Sequence, residues 1–446
     1  MKIISTIKKI VIISALSILV INKAHSQSSI GNTEITKWQD GKKGAVSITY
    51  DDGTINQFRV AVPIMNRLNL PGTFFINTSS IPGSKYQGKF IGRPVSEIIN
   101  ESKTIPTNRE NVFERASAAR YLGYRGTGDY FTRAGAQIDA NRYEEAYKIL
   151  DELYKKVVDG ELQTVSTETS PRNSENILTW EMVKTHAAEG HEFASHMVTH
   201  PYASALDEPN LLYELEKSRE EILEKLGIRH TISVECPYGT VDERAVQYAA
   251  NIYPSSRNGI LEDYLMELHR PSRRSPVNNN FEYVQWQRGL ITRTTLSEMN
   301  AWVDTTALQN NIWLVLVVHG IDGIGWESLK KEDVDAHYSY IKSRENDVWV
   351  ATFGDVTRYI KERMNAKLKS SQKGKNIKVT LTHSLDKKLF DLPLTLKTYV
   401  NPEWKEATVK QKKSVSKVKV QREGSLAFVT YRAMPDDGTV SISEAK

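Results

Sequence analysis

Ala45-Val46-Ser47-Ile48-Thr49-Tyr50, a helical pattern from Val60 to Leu68, and then Gly72-Thr73-Phe74-Phe75-Ile76 read as strand, helix, strand. Much further along, the continuous apolar run Ile312-Trp313-Leu314-Val315-Leu316-Val317-Val318 reads as a strand buried on both faces. Short apolar runs alternate with helical patterns from Trp180 to about Leu368. Repeated strand–helix units of this kind predict a parallel α/β core. From about Lys85 to Glu175 the strand signal fades. It gives way to Arg-, Tyr- and Gly-rich turns around Arg120 to Arg133 and an amphipathic helix near Tyr143 to Val158.

Past Leu368 the polar run Ser370-Ser371-Gln372-Lys373-Gly374-Lys375 has the composition of a linker. Short alternating segments follow: Ile377 to Thr382, Leu392 to Tyr399, Val415 to Val420 and Ala427 to Tyr431. They predict a small all-β sandwich. The expected layout is an α/β body over 27–368 with an insertion at about 85–175, a linker at 369–376, and an all-β domain over 377–446.

The chain has 446 residues, 39% of them hydrophobic and 25% charged, enough apolar material for a sizeable core and too ordinary for a disordered or multi-span membrane protein. Its net charge of +5 is uneven. Lys367 to Lys446 holds 15 Lys and 2 Arg against 8 Asp and Glu, and four further lysines fall in the first 26 residues, so the body between is acidic. That balance gives no reason to invoke nucleic acid. Cys236 is the single cysteine, which excludes an intramolecular disulfide and cysteine-based zinc clusters.

Three lysines in Met1 to Lys9, an apolar run from Ile10 to Ile21, and Ala24-His25-Ser26 have the pattern of a secretory signal peptide cleaved before Gln27. Twelve apolar residues reach only ~18 Å as a helix, short of a ~30 Å hydrocarbon core. An exported protein, periplasmic or extracellular, with no membrane span after cleavage is therefore expected.

Three segments carry candidate chemistry. In Thr49-Tyr50-Asp51-Asp52-Gly53, two carboxylates stand at a strand-to-loop corner before a glycine, where both can turn into one cleft. Like charges that close need a cation or a shared proton between them. In Gly190-His191-Glu192-Phe193-Ala194-Ser195-His196-Met197-Val198-Thr199-His200-Pro201, the histidines four apart can bind one metal ion, while His191 has the position of a structural residue. His319 ends the third apolar strand, and strand C-termini are where α/β folds build their sites. One carboxylate and two histidines form a facial metal set, and a spare carboxylate and histidine supply base and acid.

Together with Pro237-Tyr238-Gly239, and with the Leu178-Thr179-Trp180 to Gly190-His191-Glu192 stretch, these segments resemble the polysaccharide deacetylase family, the metal-dependent carbohydrate esterases related to nodulation chitooligosaccharide deacetylases. The likeness covers roughly Gly44 to Ile81 and Trp180 to Ile360. It implies a distorted (β/α) barrel and hydrolysis of acetyl groups on a polysaccharide or oligosaccharide, either O-acetyl esters or N-acetyl amides. It further implies Asp51 as base, and Asp52, His196 and His200 as ligands of a divalent metal, with Zn2+ the leading candidate. The Tyr238 backbone N–H becomes an oxyanion donor and His319 the acid.

Departures from the family pattern are equally plain. Glu235 stands where an arginine usually pairs with the base, and a second carboxylate there would raise the pKa of Asp51. Arg257 is the leading substitute, with Arg270, Arg273 and Arg274 behind it. Met197 replaces a hydroxyl residue, which removes a hydrogen bond near the metal. No partner for His319 can be read from the sequence. Asp52 and His196 are 144 residues apart, where two βα units need only ~60–70. The extra residues coincide with the insertion, which is expected to line a cleft with Tyr121, Tyr124, Arg125, Tyr130, Phe131 and Arg133. Trp326 could floor an acetyl pocket. A non-catalytic carbohydrate-binding protein on a degenerate scaffold is the alternative, supported by Glu235 and Met197. The basic face of Lys405, Lys410, Lys412, Lys413, Lys417 and Lys419 could dock on an anionic glycan or be a solvated strand face.

Overall fold

A computed structural model describes residues 30–165, 177–240, 242–257 and 285–445. The expected signal peptide, the last part of the insertion, and Arg270, Arg273 and Arg274 lie outside them. The first strand, β1 (Thr33–Ile35), belongs to the C-terminal half of the molecule and returns below.

The core is a parallel sheet of β2 (Gly44–Tyr50), β3 (Gly72–Ile76), β4 (Glu192–Ser195), β5 (Ser233–Val234), β6 (Ser255–Ser256), β7 (Gln285–Gly289), β8 (Trp313–Val318) and β9 (Val348–Val350). Its spatial order is β6-β5-β4-β3-β2-β8-β7. Strands β2, β3 and β4 are buried along their whole length, as a parallel sheet covered on both faces requires. The curl is irregular. β8 pairs with one side of β2 from Ala45 to Tyr50, while the other side is divided between β9 at Gly44–Val46 and β3 at Ile48–Tyr50. Between β7 and β6, the Gln287 side chain donates to the backbone carbonyl of Arg257 where a closed barrel would have a ladder. The fold is the expected distorted (β/α) barrel.

Helix α1 (Val62–Leu68) covers the sheet after β2. The insertion between β3 and β4 contains α2 (Val95–Ser102), α3 (Val112–Ala119), α4 (Thr127–Asp139) and α5 (Tyr143–Val158). The barrel then continues with α6 (Trp180–Ala188), α7 (Glu208–Leu226), α8 (Glu243–Ile252), α9 (Leu296–Trp302), α10 (Lys331–Ser343) and α11 (Phe353–Asn365). Ile98, Ala116, Phe131, Leu150 and Leu153 of the insertion share one apolar cluster with Met197, Leu211, Leu215 and Ala249, so the insertion is fused to a flank of the barrel.

The C-terminal half adds β10 (Lys367–Lys373), β11 (Asn376–Thr382), β12 (Leu394–Tyr399), β13 (Glu406–Gln411), β14 (Ser414–Lys419), β15 (Gln421–Glu423), β16 (Leu426–Ala433) and β17 (Val440–Glu444). They form two antiparallel sheets, β1-β12-β16-β15 and β10-β11-β17-β13-β14. The all-β expectation holds, with two corrections to its borders. Residues 369–376 are no linker, because Lys367–Lys373 pairs residue by residue with β11. That strand is exposed on nearly every position, and lysines and serines on a sheet edge read in sequence as a tether. The second correction is β1, which lies in the expected body yet pairs with Leu396–Thr398. Tyr359 of α11 sits fully buried in the sandwich core, its hydroxyl donating to Thr36 O at 2.9 Å. Lys405, Lys410, Lys412, Lys413, Lys417 and Lys419 are all exposed on or beside the β13–β14 hairpin. No helix among the described residues is long and apolar enough to cross a membrane.

Candidate active site

Six neighbouring strands end at one level of the sheet, each followed by a polar residue. Across the sheet these are Arg257 after β6, Glu235 after β5, His196 after β4, Asn77 after β3, Asp51 after β2 and His319 after β8. The ladders run one residue past the strands and set this alignment. Arg257 N donates to Val234 O (3.0 Å), Glu235 N to Ser195 O (2.9 Å), His196 N to Ile76 O (3.0 Å) and Asp51 N to Val318 O (3.0 Å). The row lies at the C-terminal edge of a parallel sheet, where such folds bind ligands.

Left-handed turns bring further groups inward. Asp52 (φ 71°), Met197 (φ 65°), His200 (φ 58°) and Tyr238 (φ 66°) all occupy a region that costs ~1–3 kcal/mol for a residue with a side chain. The turn at Asp52 aims both adjacent carboxylates into one cleft, as the sequence allows. Asp52 Oδ1 lies 3.5 Å from His196 Nε2 and 3.2 Å from His200 Nε2. Buried Glu214, which sequence reasoning missed, holds the loop carrying both histidines. Its carboxylate accepts from Val198 N (2.8 Å), Thr199 N (2.8 Å) and the Thr199 hydroxyl (2.5 Å).

Arg257 takes the expected substitute's place. Its guanidinium is buried, with Nη2 2.5 Å from Asp51 Oδ2 and 3.5 Å from Glu235 Oε1, and Nη1 donating to Thr49 Oγ1 at 2.6 Å. Burial pushes the Asp51 carboxyl up, Arg257 draws it back, and Glu235 adds to the rise. Glu235 has a second task that the sequence did not show. His196 Nδ1 donates to the Glu235 backbone carbonyl (2.9 Å) and lies 2.8 Å from its carboxylate. With Nδ1 as that donor, the neutral ring turns its Nε2 lone pair toward Asp52 and His200, the orientation a ligand needs. Met197, expected to cost a bond near the metal, is instead a fully buried member of the apolar cluster under the insertion.

His319 Nε2 lies 3.3 Å from Asp51 Oδ2. Its backbone is tied to that of Asp51 by Gln57, whose amide donates to Asp51 O (2.5 Å) and His319 O (2.8 Å). The Trp326 ring meets the His319 ring edge-on at 4.8 Å. Only glycine permits this return of the chain, since a Cβ on Gly320 would lie 2.7 Å from the backbone of Gly325. A cavity of about 670 Å3 joins Asp51, Asp52, His196, His200, Arg257 and His319, with Tyr238 and Trp326 among its other walls. Those two are 48% and 60% exposed, aromatic rings beside the charged groups of the cleft.

Other expectations resolve differently. Tyr121, Tyr124, Arg125, Tyr130, Phe131 and Arg133 do not line this cavity. Phe131 is buried in the insertion's own core, and the Tyr130 hydroxyl bonds Glu152 and Lys156, because a helical insertion must first fill its own interior. His191 sits at the opposite end of β4. Its Nδ1 accepts from Gly72 N (3.1 Å) and its Nε2 faces Asn66 Oδ1 (2.9 Å), a structural role as expected. Cys236 is fully buried, and burial pushes its thiol up.

Two sets of groups could each surround a cation, and both use His196: Asp52, His196 and His200, and Asp51, His196 and Glu235. The second already has the Arg257 guanidinium between its carboxylates. The first fits a divalent metal. Burial opposes charge on Asp52, yet the two imidazoles hold its carboxyl well below the usual range. Burial likewise opposes charge on His196, but Glu235, Asp52 and Asp51 draw the ring toward the cation. A donor set that pulls its own histidine positive is one that favours a cation at that point.

Residues 138–253, the segment holding His196, His200, Glu235 and Tyr238, match the family model described as polysaccharide deacetylase. A gellan lyase from Bacillus sp. is 27% identical over 282 residues, 58% of this chain and 11% of that protein, so the chain spans about a tenth of the length of this curated relative. Among solved structures, a family 4 carbohydrate esterase from Bacillus anthracis is 12% identical, covering 74% of this chain and 86% of that one with a TM-score of 0.32. The Xyl-CE4 domain of a multidomain xylanase from the hindgut metagenome of Trinervitermes trinervoides is also 12% identical, covering 70% and 89% with a TM-score of 0.32. The resemblance read from the motifs is matched by the family model over residues 138–253.

Proposed function

We propose that this chain is an exported, metal-dependent hydrolase that removes acetyl groups from a carbohydrate, as O-acetyl esters or N-acetyl amides. The observation that carries the reading is the set of donors Asp52, His196 and His200, standing beside a second carboxylate, Asp51, and a second histidine, His319, in one cavity. Export rests on the Met1 to Ser26 pattern.

Asp52, His196 Nε2 and His200 Nε2 would hold the cation, with Zn2+ suited to the imidazole-rich set. A divalent ion there supplies Lewis acidity toward the acyl carbonyl and a water molecule. Asp51 accepts the proton of the attacking water, its Oδ2 held by Arg257 and faced by His319. Arg257 opposes the rise that burial imposes on that carboxyl and fixes its rotamer. The Tyr238 amide donates to the oxyanion as the carbonyl becomes tetrahedral. His319 then protonates the departing sugar oxygen or nitrogen. Trp326, and the face of Tyr238 turned away from Tyr202, offer apolar surface to sugar rings.

The alternative of a degenerate binding scaffold loses much of its support, since Glu235 and Met197 both have structural partners. The test is acetate release by the chain from Gln27 onward, from a panel of O- and N-acetylated polysaccharides, with Zn2+ and with chelator. Gellan belongs on the panel because the curated relative is named for it. Metal-dependent release from any member supports the reading, and tight metal binding with no release across a broad panel favours the binding protein.

A further inference from the structure

The insertion does not wall the cleft, yet it reaches the two strained loops that carry the site. Arg120, just after α3, donates from Nη1 to the Thr199 hydroxyl (2.7 Å) and from Nη2 to Thr199 O (3.2 Å), between His196 and His200. Asp139, the last residue of α4, accepts a hydrogen bond from the Thr240 hydroxyl, two residues past Tyr238. Gly135, one turn earlier on α4, presses on Tyr202, for a Cβ there would lie 2.7 Å from that ring. The Tyr202 ring in turn stacks on Tyr238, with centroids 3.7 Å apart and planes 3° from parallel, and Tyr238 meets His200 edge-on at 4.9 Å. One face of one helix thus touches the Tyr238 loop twice, once through Thr240 and once through Tyr202.

Residues in the left-handed region persist only where the surroundings over-determine them. Tyr238 is a bulky residue at φ 66° in a short 3-10 turn, Pro237–Gly239, that follows a strand of two residues, so its own element supplies little restraint. We infer that α4 of the insertion is a positioning device for the Tyr238 turn, with Asp139 and Gly135 as positioning residues that act through Thr240 and Tyr202. The proposal rests on the deacetylase reading for its catalytic consequence and on geometry alone for its structural one.

Amide hydrogen exchange separates the two. In Asp139→Ala, exchange across residues 238–240 is expected to quicken by about tenfold, the loss of one hydrogen bond to a carboxylate side chain, while β2 and β8 keep their protection. Asp139→Asn keeps an acceptor for the Thr240 hydroxyl and is expected to restore most of the protection. Thr240→Val also removes the acceptor of Asp242 N (3.2 Å), so it should quicken exchange at least as much as Asp139→Ala, and adding Asp139→Ala to it should add nothing. On a substrate that the wild type deacetylates with saturating metal, Asp139→Ala should lower kcat about 10- to 100-fold with KM within about twofold, since a misplaced oxyanion donor acts on the transition state. Unchanged exchange at 238–240 in both single variants overturns the inference whether or not a substrate is known. Changed exchange with unchanged kcat overturns its catalytic half. A wild type that releases no acetate sinks the deacetylase reading instead, leaving the exchange result to decide the structural half.

Discussion

Removing Arg257 is the perturbation whose cost the structure specifies most fully. The guanidinium is 2% exposed and stands between two carboxylates that are themselves 3% and 5% exposed, Asp51 and Glu235. Arg257→Met fills most of the volume but leaves Asp51 buried without its guanidinium, while Glu235 keeps His196 beside it. Breaking a buried pair by deleting one partner costs ~3–5 kcal/mol, mostly the charge left behind. With Asp51 stranded and Glu235 still paired to His196, a cost within that range is expected in urea unfolding with Zn2+ absent. Glu235→Gln combined with Arg257→Met removes the neighbouring buried charge at nearly constant shape. The double variant should therefore recover at least ~1 kcal/mol against the sum of the singles, a coupling typical of neighbours in one ionic network. Both variants should lose ~100-fold or more of acetate release, because the base is no longer oriented and nothing in place of Arg257 opposes the rise of its carboxyl. A single-variant cost below ~1 kcal/mol with additive singles would refute the charge accounting on which the site description depends.

Further predictions concern the rest of the framework. His191 is buried, with Nδ1 accepting from Gly72 N, and burial holds its ring down to about 4. The unfolded chain binds that proton near pH 6.5, so the contribution is intact above pH 6.5 and is lost as pH falls toward 4. At pH 5 this comes to ~2 kcal/mol. His191→Asn should flatten the stability–pH curve between pH 7.5 and 5 by about that amount in urea titrations, and an unchanged slope would count against the neutral ring. Tyr359→Ala empties the junction of barrel and sandwich and removes the bond to Thr36 O, so ~3–5 kcal/mol should be lost and thermal unfolding should broaden or split relative to the wild type. Gly320→Ala should push the loop bearing Trp326 away from His319, lowering acetate release with little change in metal affinity measured by competition with a chromophoric chelator.

How far the sequence carried this account depends on how locally each feature is encoded. Strands β2, β3 and β8 are long apolar runs, so the ends that place Asp51 and His319 were legible. The histidine pair was legible from spacing. Strands β5 and β6 are two residues each, too short for any periodicity, and the neighbouring placement of Glu235 and Arg257 becomes visible only through the ladder that aligns them. Glu235 read as a defect because its backbone and carboxylate contacts to His196 come from strand order, which one sequence does not state. The insertion's aromatic residues suggested a sugar cleft from composition alone. Composition does not distinguish a ring turned to solvent from one that fills a helical core, and Phe131 does the latter. The polar edge strand β10 reads as a linker for the same reason: exposure on both faces erases the alternation that marks a strand.

The central claim assigns two adjacent carboxylates to different tasks, Asp52 to the metal and Asp51 to the proton. Metal stoichiometry and acetate release should therefore be measured side by side on the wild type, Asp51→Asn and Asp52→Asn. The account predicts that Asp51→Asn still binds one divalent ion per chain but releases no acetate, whereas Asp52→Asn loses both tight binding and release. An Asp51→Asn variant that keeps its activity, or an Asp52→Asn variant that keeps its metal, would contradict it.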